Sequence, residues 1–147
     1  MPSASADAGT GSAVILCVER DPYVRELESY FLRDAGFDVT FAEDGLHALQ
    51  LARELRPTIV ITEILVPKLD GLALCRRLKA DPATQHIAVL VFSLLAADRR
   101  ARDAGADAFL VKPLTSETLV ETVRLLLAAH ASGSGSPSGP AESKRTR

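Results

Sequence analysis

Pro57-Thr58-Ile59-Val60-Ile61-Thr62-Glu63-Ile64-Leu65-Val66-Pro67-Lys68-Leu69-Asp70-Gly71 is the stretch from which the chain is read. Its apolar run, Ile59-Val60-Ile61, is too short for a helix and rich in β-branched residues, which predicts a strand buried on both faces. Glu63 follows at once, and a proline and an Asp-Gly pair come within eight further residues, so the strand ends in a loop with a carboxylate at its carboxyl end. In open parallel α/β sheets, that edge is where sites lie.

Outward from this stretch, strand and helix patterns alternate. Towards the amino terminus, Ala13 to Val18 is an apolar run, and Asp21-Pro22 opens a helix in which Val24, Leu27, Phe31 and Leu32 recur at helical spacing. Gly36 stops that helix, Phe37 to Phe41 alternates as a strand, and Asp44 or Gly45 opens a helix with Leu46, Leu49, Ala52 and Leu55 on one side. Towards the carboxyl terminus, Leu72, Leu74, Cys75 and Leu78 mark a third helix, Ala88 to Phe92 a strand ending in Ser93, and Ala97 to Ala104 a short polar helix. Ala108 to Val111 makes a fifth strand ending in Lys112-Pro113, and Thr115 or Ser116 caps a last helix carrying Leu119, Val123, Leu126 and Leu127 inward. Five strands alternating with five helices predict an α/β fold, a doubly wound, five-stranded parallel sheet.

Composition bounds the function. The 147 residues are 47% apolar and 24% charged, as expected of one globular domain. Residues 1–12 and the Ser/Gly/Pro-rich 132–147 lack the apolar side chains to offset ordering and are expected to be disordered tails around a domain spanning 13–131. A net charge of −2 gives no electrostatic case for nucleic acid or an anionic membrane. Cys17 and Cys75 sit among apolar neighbours and read as reduced core residues of a cytoplasmic protein, and no apolar run approaches the ~18 residues of a membrane span. Enzyme chemistry is not expected: there is no phosphate-cradling glycine loop, no metal-ligand spacing, and His47, His86 and His130 lie away from the strand ends that carry Glu19, Arg20, Glu63, Ser93 and Lys112.

Those five residues, with Asp21-Pro22, the Pro67 to Gly71 loop, Ala104 to Asp107 and Leu110 to Pro113, resemble the receiver domain of bacterial two-component response regulators, a flavodoxin-like fold. The resemblance implies that Glu63 stands where an aspartate accepts a phosphoryl group, and that Glu19 and Arg20 stand where an acidic pair helps to hold Mg²⁺. By the same resemblance Ser93 and Phe109 are switch residues, Lys112 pairs with the acceptor, and Pro113 follows a cis peptide. The family's pocket, three carboxylates and a lysine, has net charge −2, whereas the charges of Glu19, Arg20, Glu63 and Lys112 cancel.

An Arg20–Glu63 pair at about 4 Å, worth on the order of 4 kcal/mol before desolvation, would then replace the metal. The expectation is a pseudo-receiver without Mg²⁺ or conventional phosphorylation, with no output module after Ala131 and acting by protein contact. The alternative is a phosphorylation-responsive regulator or phosphate shuttle using Glu63 as acceptor. The expected partner is a histidine kinase or a downstream signalling protein, meeting the Leu94 to Ala131 face of a monomer or weak homodimer. Ser93 to Lys112 spans 19 positions, about three fewer than is usual in the family, and Asp98, Arg99, Arg100, Arg102 and Asp103 make the helix between them densely charged.

Overall fold

The computed structural model describes residues 13–113 and 115–133. The elements are β1 (Val14–Val18), α1 (Pro22–Asp34), β2 (Asp38–Ala42), α2 (Gly45–Leu55), β3 (Ile59–Thr62), α3 (Gly71–Ala80), β4 (Ala88–Ser93), α4 (Asp98–Asp103), β5 (Ala108–Val111) and α5 (Ser116–Gly133). All pairings are parallel, in the order β2-β1-β3-β4-β5. The chain order reverses between β1 and β3, so the residues that follow these two strands flank the crevice where such sheets bind ligands.

Alternation along the buried strands divides the core into two layers. Leu16, Val18, Val60, Val89 and Val91 face a layer shared with Leu49, Ala52, Leu74, Leu78 and Ala101 of α2, α3 and α4. Ile15, Cys17, Ile59, Ile61, Leu90 and Phe92 face the other, with Leu32 of α1 and Leu119 and Val123 of α5. Asp21, Asp44 and Asp70 cap α1, α2 and α3, each accepting a backbone N–H of the first turn at 2.7–2.9 Å.

Three details differ from the sequence reading. Leu46 and Leu55 are exposed; Leu49 and Ala52 face inward as expected, and Gly45 and Ala48 join them, small residues that let the helix lie close to the sheet. α4 has only six residues and no capping side chain. α5 runs to Gly133, two residues past the expected boundary; the other tail residues, 1–12 and 134–147, lie outside the described residues.

Two helix starts are pressed against the loop that carries Glu63. A Cβ on Gly45 would collide with the carbonyl of Leu69, and one on Gly71 with the carbonyl of Glu63, while lying 2.9 Å from Ile64 Cα. Backbone cannot yield as a side-chain tip can, so both sites exclude any larger residue. Gly71→Ala is expected to lower unfolding free energy by about 2–3 kcal/mol, read as a lower urea midpoint.

Candidate functional site

The strand ends bring Glu19, Glu63, Ser93 and Lys112 together. Glu19 and Glu63 directly follow β1 and β3, and their backbone N–H groups extend the ladder, donating to Ala42 O and Val18 O at 3.0 Å. Lys112 follows β5, and its N–H donates to Ser93 O at 2.8 Å. Both carboxylates are buried, as is the side chain of Lys112.

The Lys112 ammonium bridges the two acids, 2.7 Å from Glu19 Oε1 and 3.0 Å from Glu63 Oε1. Glu63 Oε2 accepts the Ser93 hydroxyl and the backbone N–H groups of Ile64 at 2.6 Å and Leu65 at 3.1 Å. Its Oε1 accepts the Leu94 N–H at 3.2 Å, and Glu19 Oε2 accepts the Asp21 N–H at 3.1 Å. Burial pushes the Glu63 carboxyl up, but the Ser93 and Lys112 hydrogen bonds, the Leu65 N–H and the lysine's charge outweigh it and hold the group below its ordinary value. Burial likewise pulls Lys112 down, and its bonds to Glu19 and Glu63 more than reverse that. The pocket at rest is therefore ionic, two carboxylates and one ammonium, with one negative charge. Lys112→Met would leave both acids buried and unpaired, so a loss of about 3–5 kcal/mol in chemical denaturation is expected.

Arg20 is not part of this cluster. Its side chain is exposed, and its carbonyl accepts Arg25 Nη1 at 3.3 Å. The Arg20–Glu63 pair expected from the charge pattern does not form; Lys112 is the cation against Glu63. Neighbouring residues leave a strand end on opposite sides, so Glu19 turns inward and Arg20 outward. Phe109 stands apart from the cluster, half-buried against the core layer of α2, α3 and α4 and in register with Val91. The Lys112–Pro113 peptide is cis. His47 is exposed on α2, while His86 and His130 face one another with ring centroids 6.5 Å apart.

Glu28 of α1 was missed by the sequence reading. It is 1% exposed, and its Oε1 is the one buried side-chain oxygen or nitrogen without a hydrogen bond among the described residues. Burial first, and then the negative charge of Glu19, push its carboxyl up to about 8. The signal was present in the spacing: Glu28 is four residues from both Val24 and Leu32 and so shares their inward face. An acid whose pKa is raised on folding keeps its proton longer in the folded than in the unfolded chain, so stability falls as pH rises from about 4.5 and levels off above about 8. The advantage of Glu28→Gln over wild type is therefore expected to grow by about 3 kcal/mol between pH 4.5 and 7, followed by urea melts at each pH.

The pocket suits a divalent cation of the Mg²⁺ type. Such ions are commonly held by one or two carboxylates, with water and phosphate oxygens completing the shell. Glu19 and Glu63 supply two carboxylates at one lysine, and the exposed Arg20 guanidinium does not occupy the space. No group of three or more His, Cys, Asp or Glu side chains able to hold a metal occurs among the described residues.

Comparison with known proteins bears on the same point. The chain is 37% identical over 116 residues to the DNA-binding dual master transcriptional regulator RpaA of Synechocystis sp., covering 77% of this chain and 48% of that protein. It spans about half the length of the first curated relatives it matches. The signal receiver domain of a signal transduction histidine kinase from Syntrophus aciditrophicus superposes with a TM-score of 0.76 at 30% identity, over 89% of this chain and 99% of that one. The receiver domain of the sensor histidine kinase PA1611 from Pseudomonas aeruginosa, 26% identical with a TM-score of 0.71 over 82% of this chain and 99% of that one, carries a magnesium ion coordinated in its active-site cleft.

Two expectations are corrected by these findings. Loss of Mg²⁺ binding rested on a cancelled pocket charge, whereas the pocket is negative and the chain resembles a receiver that holds the ion. Loss of conventional phosphotransfer rested on the missing metal and on the reach of glutamate, one methylene longer than aspartate; the buried Glu63–Lys112 pair and the likeness to response regulators argue against it. The response regulator receiver domain model matches residues 15–124, and the chain belongs to that family.

Proposed function

We propose that this chain is a phosphorylation-responsive receiver, atypical in its residue choices, that uses Glu63 as the phosphoryl acceptor. Receiver domains are signalling modules of bacterial two-component systems rather than enzymes in the conventional sense. The observation that carries the reading is the ionised Glu63 carboxylate, held at the carboxyl edge of the sheet against Lys112 Nζ and Ser93 Oγ. One of its oxygens attacks the phosphorus of a donor; the bond to the donor's leaving group breaks, the leaving group departs with the electron pair, and an acyl phosphate forms.

Lys112 Nζ, the Ser93 hydroxyl and the Leu94 N–H, all directed at Glu63 before transfer, are then placed to stabilise the added phosphoryl oxygens. Mg²⁺, held by Glu19 and Glu63, would offset the charge of the transferring group. Moving Ser93 off the Glu63 oxygen disturbs the end of β4 and, through the Val91–Phe109 register, the environment of Phe109. Partner contact lies on the Leu94 to Ala131 face, where Leu94, Val111 and the charged side chains of α4 are exposed. The phosphoryl donor is a histidine kinase, the recipient of the signal a downstream protein, and the site of action the cytoplasm. No described helix is long and apolar enough to cross a membrane.

Incubation with acetyl phosphate and Mg²⁺ is expected to add one hydroxylamine-sensitive phosphoryl group by intact mass. Glu63→Gln is expected to abolish it, and Glu63→Asp to speed it roughly tenfold, since a shorter acid leaves more room for in-line attack. Labelling of Glu63→Asp but not of wild type would show that glutamate is not an acceptor and overturn the reading.

A further inference from the structure

The pocket holds one negative charge, whereas the family pattern described above brings two to a divalent cation. The missing charge has a source in α1. Glu28, at the middle of α1 and six residues along the helix from Pro22, is buried, makes no ion pair among the described residues, and leaves Oε1 without a partner. The charged groups that act on it are Glu19, Lys112, Glu63 and Arg25. Both cations are committed elsewhere: Lys112 bridges Glu19 and Glu63, and Arg25 Nη1 reaches Glu19 O at 3.1 Å, Arg20 O at 3.3 Å and Glu43 Oε2 at 3.5 Å.

Other neighbours offer no offset. Cys17, on the adjacent strand, is a fully buried thiol that burial keeps protonated, and it brings no positive charge. From α5, Leu119 and Val123 turn inward, while Glu117, Glu121 and Arg124 are exposed. An ionised Glu28 thus has no counter-charge until one arrives at the rim.

Resting on the phosphorylation-responsive reading of the same pocket, we propose that Glu28 is its third acid: a carboxyl that is protonated in the metal-free chain and releases its proton to solvent as a divalent cation enters beside Glu19 and Glu63. Glu28 is here a positioning residue acting through charge, not a ligand. Its ionisation gives the pocket a net charge of −2 against the arriving dication, the role an acid at Arg20 would have filled. The cation and the proton then exclude one another, so Mg²⁺ affinity rises with pH.

The test is calorimetric titration of Mg²⁺ into the full chain at about pH 7, in two buffers of different ionisation enthalpy, with the ¹³C shift of the Glu28 carboxyl followed in parallel. About one proton released per ion, an affinity that rises nearly tenfold per pH unit below about pH 7.5, and a Glu28 carboxyl that moves to its ionised shift on Mg²⁺ addition are expected. Glu28→Gln should release no proton and lose the pH dependence. Mg²⁺ binding without proton release, or with a Glu28 resonance that does not move, would overturn the proposal and leave the phosphorylation reading standing. No Mg²⁺ binding at any pH would sink both. Should Glu28→Gln fail to fold, the wild-type carboxyl resonance decides alone.

Discussion

Three buried charges at the carboxyl edge of the sheet impose the strictest demand on this structure. Each ion taken out of water costs several kcal/mol, and the cluster persists only because its lone pairs are met. Lys112 Nζ serves both acids, and Ser93 with the N–H groups of Ile64, Leu65 and Leu94 serves Glu63. These donors come from the ends of three strands, so the cluster can be satisfied only when the β1-β3-β4-β5 register is in place. The close approach of Gly71 to the Glu63 carbonyl holds the backbone from the other side. Fold and site are thus one constraint: the parallel ladder sets where the ends lie, and the ion cluster penalises any other arrangement of them.

The same dependence explains what could be read in the chain. Elements whose signal is periodic were legible: β3 is buried on both faces as its β-branched run required, and Asp21 and Asp44 cap the helices that follow them. Glu63, Ser93 and Lys112 could be placed at one rim because each ends a strand. What failed was direction. Treating Glu19 and Arg20 as a unit ignored the alternation of side chains, and the cancelled charge inferred from them carried over into metal binding and function. Leu46 and Leu55 failed for a related reason, because α2 is seated by small residues and the leucines at the margins of its stripe remain in water.

Glu28 is a conflict of another kind. The other fully buried residue of α1, Leu32, is apolar, and a buried carboxyl with an unpartnered oxygen lowers stability without contributing a hydrogen bond at Oε1. A hydrophobic residue of the same size would pack there at no such cost. Exposed Arg20 and buried Glu28 are in this sense complementary: the acid absent from one position is present, held neutral, at another.

Ser93 joins the charges of the rim to the segments that follow β4 and β5. Its hydroxyl serves Glu63 Oε2 while accepting the Leu95 N–H at 3.1 Å, and its carbonyl accepts the Lys112 N–H. One residue therefore ties Glu63, the start of the loop after β4, and the end of β5. Leu94, beside it, is exposed, and α4 beyond is a short helix with no side-chain cap. A helix of six residues has little cooperative stability of its own and is held mainly by Ala101 against the core. The least stabilised element after β4 is thus the one that carries an exposed, densely charged surface, and it is tied to the buried charges of the rim through the single residue Ser93.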